Sequence, residues 1–281
     1  MIRILSDSTC DFSPELIKKN NIEIIPLHVY LGDDEYLDGV NIDPQKLYEW
    51  SDATGSTPRT SAPTPDEVES IFKKYIDQGD ELIVFTISSS MSASYNVCKL
   101  AAESLNASDR ILVIDSTNLT TGMGHLMLEA KELVDEGKDL KTISEEIQKL
   151  KPLLRSSFVI DTLVYLSRGG RCSGLAATLG SVLKLHPRIV VENGTMHSDK
   201  KYRGSLDKVV MKYAEDLIPA LEKARPKRVF ITHSGCSEEI ISSVKKLLES
   251  LNHFNEIHIT RTGCVVASHC GPGTLGILYM D

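Results

Sequence analysis

The chain has 281 residues, 41% of them apolar and 25% charged, with 31 Lys and Arg against 39 Asp and Glu for a formal net charge of −8. That length suits one large or two ordinary domains, the composition is that of a globular chain rather than a coiled coil, collagen or disordered polymer, and the acidic balance argues against nucleic acid or an anionic membrane as main partner. No stretch approaches 18 uninterrupted apolar residues, so no transmembrane segment is expected; Asp7 comes too early for an export signal, and six scattered cysteines without Cys-x-x-Cys or metal-cage spacing read as reduced thiols in a cytoplasm.

The opening residues 2–5 read as a buried strand. Ser13 and Pro14 then start a helix, as N-cap and first helical residue. Residues 22–31 read as one strand, Gly32-Asp33-Asp34 as a turn, and residues 35–37 as a returning hairpin partner. Asp43-Pro44 opens another helix, and residues 51–63 form a polar loop. Thr64-Pro65-Asp66-Glu67 is a capping box, and the helix behind it carries Val68, Ile71, Phe72, Tyr75 and Ile76 on one stripe. Residues 82–87 are a β-branched run expected as a central strand. A helix is expected from about Ser92 to Leu105, a strand at residues 111–114, and helices near 120–136 and 140–150. This alternation predicts a mostly parallel sheet with helices on both faces.

Pro152 ends that pattern. Residues 158–160 suggest a strand, 173–184 a helix, and 187–191 with 196–201 a hairpin about Asn193-Gly194. A helix is expected from Ser205, with Pro219 kinking or ending it. Strands at 228–232 and 256–260 flank a helix at 237–251, and residues 274–280 form a final strand. The expected fold class is therefore α/β, in two α/β domains (1–153 and 154–281), the second with a mixed sheet.

Gly271-Pro272-Gly273-Thr274-Leu275-Gly276 has dinucleotide-motif spacing but leads into a strand pattern, where such a site needs a helix N-terminus, so no NAD site is expected. A Walker loop and a Gly-x-Ser-x-Gly elbow are both absent. Asp-Ser-Thr occurs twice, at residues 7–9 and 115–117, each time after a predicted strand. These are helix-capping loops or the hydroxyl lining of a crevice at the strand ends. Five serines in residues 88–94 join a strand to a helix, as an over-supplied N-cap or a site for an oxyanion at the helix start. Residues 59–65 form a stiff hydroxyl-bearing loop, residues 167–173 a basic glycine-rich turn, and Lys200, Lys201 and Arg203 a basic cluster on an acidic chain.

Five of these segments recur in order along one known family. Asp7-Ser8-Thr9, Thr60-Ser61-Ala62-Pro63, residues 88–95, Arg168-Gly169-Gly170-Arg171 and His269-Cys270-Gly271-Pro272-Gly273 together make the chain resemble the bacterial DegV family over its whole length. The resemblance implies two α/β domains with a fatty acid in a tunnel between them, and a cytoplasmic, non-catalytic carrier subunit of fatty acid kinase. A separate catalytic subunit would phosphorylate the bound carboxylate for phospholipid synthesis.

Carried over by position, Thr60 and Ser92 resemble the family's carboxylate-binding hydroxyls and His269 its nearby histidine. Ser61, Ser89, Ser94 and Arg171 are candidates for the same shell, and Lys201 and Arg203 for docking the kinase. No cofactor and no metal are implied; the partners would be a long-chain fatty acid, the kinase subunit and, in passing, a membrane surface. Ala62, the Ser92-Ala93-Ser94 segment and His186-Pro187 depart from the family's common residues there. Two other readings stay open: an acyl-ester hydrolase or transferase with Ser92 or Cys270 as nucleophile, which needs a base in reach, and a binder of a small anionic metabolite.

Overall fold

The computed structural model describes residues 1–171 and 185–281. Its first half runs β1 (Ile2–Asp7), α1 (Pro14–Asn20), β2 (Ile22–Ile25), β3 (His28–Leu31), β4 (Asp34–Leu37), α2 (Pro44–Thr54), β5 (Arg59–Ser61), α3 (Pro65–Ile76), β6 (Glu81–Thr86), α4 (Ser94–Ser104), β7 (Ile111–Asp115), α5 (Thr120–Asp135) and α6 (Leu140–Leu150). The second runs β8 (Leu154–Val159), α7 (Leu163–Gly169), β9 (Leu185–Glu192), β10 (Thr195–Arg203), α8 (Leu206–Leu221), β11 (Arg228–Ser234), α9 (Glu238–Ser250), β12 (Glu256–Arg261), α10 (Cys264–Cys270) and β13 (Thr274–Met280). The helix expected over residues 173–184 lies outside the described residues.

The fold is α/β. A four-stranded sheet, order β2-β1-β6-β7, is parallel throughout. A six-stranded sheet, order β10-β9-β8-β13-β11-β12, is mixed: only β11 and β12 run parallel. A small antiparallel sheet, β4-β3-β5, stands apart from both. Helix α5 lies between the two large sheets. Its Met123, Leu126, Met127 and Ala130 share one core with Ile4, Ile83, Phe85 and Ile114 on one side and Leu154, Phe230, Leu278 and Met280 on the other. Arg228, nearly buried on β11, pairs with Glu129 at 2.9 Å and with Glu132, so the same helix is also tied by charge.

Local chemistry sets most helix starts. Ser13, Asp43, Asp139 and Ser237 cap α1, α2, α6 and α9, and the Thr64–Glu67 capping box opens α3. The β9–β10 hairpin turns on Asn193 and Gly194, both at positive φ, as a tight two-residue turn requires.

Four expectations need correction. Residues 22–31 are two strands, not one, because Pro26 interrupts the run: β2 joins the parallel sheet and β3 the small one. The polar segment 51–63 contains the end of α2 and the strand β5, with Thr60 paired to Val29. Helix α8 continues through Pro219 to Leu221; Pro219 and Glu215 are both exposed, so the carbonyl left without a helical donor can turn to water. Helix α10 falls where the sequence offered only a His-Cys pair before glycines. After Gly271-Pro272-Gly273 the chain enters β13, a strand.

Candidate ligand cavity

The site is organised around α10. Its N-terminal amides have no local cap and are held by two remote carboxylates: Asp11 accepts from Gly263 N at 2.7 Å and Asp38 from Cys264 N at 2.6 Å. Ser8 links these elements, donating to Asp38 at 2.9 Å and accepting from Leu27 N at 3.2 Å. Burial raises the pKa of both carboxyls, that of Asp11 well above its ordinary value. Asp7 accepts from Thr9 N, Thr9 Oγ1 and Ile87 N, yet burial outweighs these bonds and pushes it up to about 6.

The two Asp-Ser-Thr repeats fix the serine-rich loop from opposite sides. Asp7 holds Ile87 N, and Asp115 holds Ser89 through N at 3.2 Å and Oγ at 2.5 Å. Ser88 donates to Gly194 O at 2.7 Å, tying the loop to the β9–β10 turn. Ser92 and Ser94 pair with each other at 2.9 Å. The loop is thus a junction of several elements rather than a surplus of caps, and α4 begins at Ser94, two residues later than expected.

These elements enclose a cavity of about 310 Å³, the lower end of the range for small-molecule sites. Its walls are mainly apolar: Leu27, Ile87, Met91, Leu119, Phe158, Leu166, Met196, Val265, Val266 and Leu278. Thr60, Ser61, Ser92, Arg171 and His269 line it as well. Thr60 Oγ1 meets His269 Nε2 at 2.9 Å, while His269 Nδ1 has no hydrogen-bond partner among the described residues. Burial, with Arg171 as a smaller cause, holds His269 down at about 4, so the imidazole is neutral at pH 7. Arg171 also reaches Met91 O at 3.4 Å. Ser89 and Ser94 do not line the cavity; their hydroxyls serve Asp115 and Ser92. Lys201 and Arg203 are exposed on the edge strand β10, whereas Lys200 beside them pairs with Asp216 at 2.5 Å.

Thr120, Ser156 and Thr262 also line the cavity and went unnoticed in the sequence. A lone hydroxyl before a helix or inside a strand carries no local signal, and apolar wall residues are indistinguishable from core.

The family model described as "Uncharacterised protein, DegV family" matches residues 1–281. The chain belongs to the DegV family. A DegV domain-containing protein of Clostridium acetobutylicum is 32% identical over 283 residues, covering 100% of this chain and 98% of that relative. Among solved structures, a fatty-acid-binding DegV family protein from Thermus thermophilus has 28% identity and a TM-score of 0.90, covering 100% of this chain and 99% of that one. A stearic-acid-binding protein from Eubacterium ventriosum has 27% identity and a TM-score of 0.86, covering 100% and 98%. Among the described residues no helix is long and apolar enough to cross a membrane, and the cysteines 10, 98, 236, 264 and 270 are free.

Proposed function

We propose that this DegV chain binds one long-chain fatty acid in the cavity, holds its carboxylate at Thr60, Ser92 and His269, and presents it to a separate kinase subunit. The observation that carries this reading is a largely apolar cavity lined by the bonded pair Thr60–His269 and by Ser92. The fatty acids named for the Thermus and Eubacterium proteins support the same ligand class.

The energetics fit. Burial is worth roughly 0.8 kcal/mol per methylene, so about fourteen methylenes give on the order of 11 kcal/mol gross. That is of the same order as the roughly 4–15 kcal/mol that association costs in lost freedom, so the head-group contacts decide the net affinity. The tail asks only for apolar walls. The head is the demanding end, because an unpaired buried carboxylate costs several kcal/mol or takes up a proton. Neutral hydroxyl and imidazole donors meet that need and let the carboxylate pass to a kinase without breaking a salt bridge.

A hydrolytic reading is disfavoured by geometry. The Ser92 hydroxyl meets Ser94 rather than an imidazole. His269 Nε2 is engaged by Thr60, and burial pushes the Cys270 thiol up to about 12. Among the described residues, neither nucleophile has an activating base in contact.

In this role the protein collects its ligand by transient membrane contact, works in the cytoplasm, and supplies acyl phosphate for phospholipid synthesis. Lys201 and Arg203 are the docking patch, steering an acidic face of the kinase. The test is reconstitution. Acyl phosphate should form only when ATP, the kinase subunit and this lipid-loaded chain are combined. Lys201→Glu with Arg203→Glu should slow formation while lipid binding persists. Acyl-ester turnover by the chain alone, lost in Ser92→Ala, would establish the hydrolase instead.

A further inference from the structure

Helix α10 carries His269 in its last turn and lines the cavity with Val265, Val266 and Cys270. A histidine that presents one ring nitrogen to a partner is ordinarily oriented by a hydrogen bond on the other. His269 Nδ1 has no such bond among the described residues, so the ring is placed by its contact with Thr60 and by the helix itself.

Seven residues are too few to fix that helix from within. Its first amides lack a helical acceptor, and Gly263 before it has no side chain to cap them. An acceptor comes instead from Asp38, 226 residues away and 2% exposed. One carboxyl oxygen takes Cys264 N at 2.6 Å and the other takes the Ser8 hydroxyl at 2.9 Å. Asp38 is itself fixed by backbone: its N–H donates to Leu27 O at 2.9 Å, and Ser8 accepts from Leu27 N at 3.2 Å. A Cβ on Gly263 would lie 3.0 Å from both carboxyl oxygens, so the glycine makes the room in which Asp38 reaches the helix start. The first half of the chain thus holds α10 at both ends, through Asp38 at its start and Thr60 at its end.

We propose that Asp38 is a positioning residue for the fatty-acid carboxylate: acting through α10, it sets where His269 meets Thr60 and the ligand head. This deepens the fatty-acid reading and rests on it. The helix is a rod of roughly 10 Å between the two points, and a binding group serves its ligand only while held within about 0.5 Å of its productive place. Releasing the start of the rod therefore reaches the histidine at the far end.

The experiment is a double-mutant cycle on affinity for octadecanoic acid, measured on delipidated protein with folding checked by thermal melting. Asp38→Leu, similar in size but without an acceptor, should weaken binding about tenfold, the equivalent of about 1.4 kcal/mol. Asp38→Asn, which keeps an oxygen for Cys264 N, should recover most of that loss. In a His269→Ala background, Asp38→Leu should cost less than about twofold, because its route to the ligand is gone. An Asp38→Leu protein that binds as the wild type does, a loss undiminished in the His269→Ala background, or an Asp38→Asn protein as weak as Asp38→Leu overturns the positioning role and leaves the fatty-acid reading standing. If Asp38→Leu does not fold, Gly263→Ala, whose Cβ would crowd the same carboxyl, takes its place in the cycle, and unchanged affinity or an undiminished loss overturns the role in the same way. If the wild type binds no fatty acid, the fatty-acid reading fails and the positioning role falls with it.

Discussion

Thr60 Oγ1 and His269 Nε2 stand 2.9 Å apart across 209 residues of sequence, joining β5 of the small sheet to the last turn of α10. The bond holds a neutral imidazole and a hydroxyl together at a cavity that is otherwise largely hydrocarbon.

If that pair binds a carboxylate, removing the hydroxyl removes a hydrogen bond to a charged group, worth about 1.5–3 kcal/mol. Thr60→Val should weaken fatty-acid affinity roughly 10- to 100-fold, read by displacement of a fluorescent fatty acid. Unchanged affinity would remove Thr60 from the site.

The state of His269 has a defined pH signature. Its native pKa of about 4 lies below the ordinary imidazole value. Between about 4 and 6.5 the unfolded chain therefore binds the proton more readily than the native protein. Its contribution to stability is complete above the ordinary value and is lost as pH falls through that window. Ring titration by NMR should give a midpoint near 4 for His269 in the ligand-free protein. A midpoint at the ordinary value would mean that the ring is solvated rather than enclosed.

Gly124 tests how tightly α5 is held between the sheets. Glycine to alanine inside a helix ordinarily stabilises by about 0.5–1 kcal/mol. Here a Cβ would lie 2.3 Å from Phe12 Cε1 in the core. Gly124→Ala should reverse the usual sign and destabilise by about 1–3 kcal/mol, seen as a lower midpoint in urea. A stabilised variant would show that Phe12 has room to move.

Tyr213 joins α8 to the six-stranded sheet. Its hydroxyl donates to Ser157 O at 2.7 Å and accepts from Ile277 N at 3.0 Å, with the ring fully buried. Tyr213→Phe strands a buried amide and should cost about 1–3 kcal/mol. A neutral effect in denaturant titration would mean that water replaces the hydroxyl.

What the sequence disclosed follows the range of the forces involved. Caps, the Asn193-Gly194 turn and the stripe on α3 are decided within a few residues, and they were legible. Helix α10 was not: Cys264-Val265-Val266 favours a strand, and its start is fixed by Asp38 and Asp11, 226 and 252 residues from the amides they hold. Residues 22–31 read as one strand through Pro26, because nothing local shows that the two sides of that proline enter different sheets. Thr60, Ser92 and His269 were picked out through family motifs, since nothing local distinguishes them from other hydroxyls and histidines. That Thr120, Ser156 and Thr262 line the cavity emerges only when every neighbour is known.

The most direct measurement is native mass spectrometry of freshly purified protein, followed by lipid extraction. One fatty acid per chain is expected in the wild type, largely lost in Thr60→Ala/Ser92→Ala with the fold retained. A wild-type chain that carries no lipid and binds none when offered, or a double variant that stays fully loaded, would contradict the account.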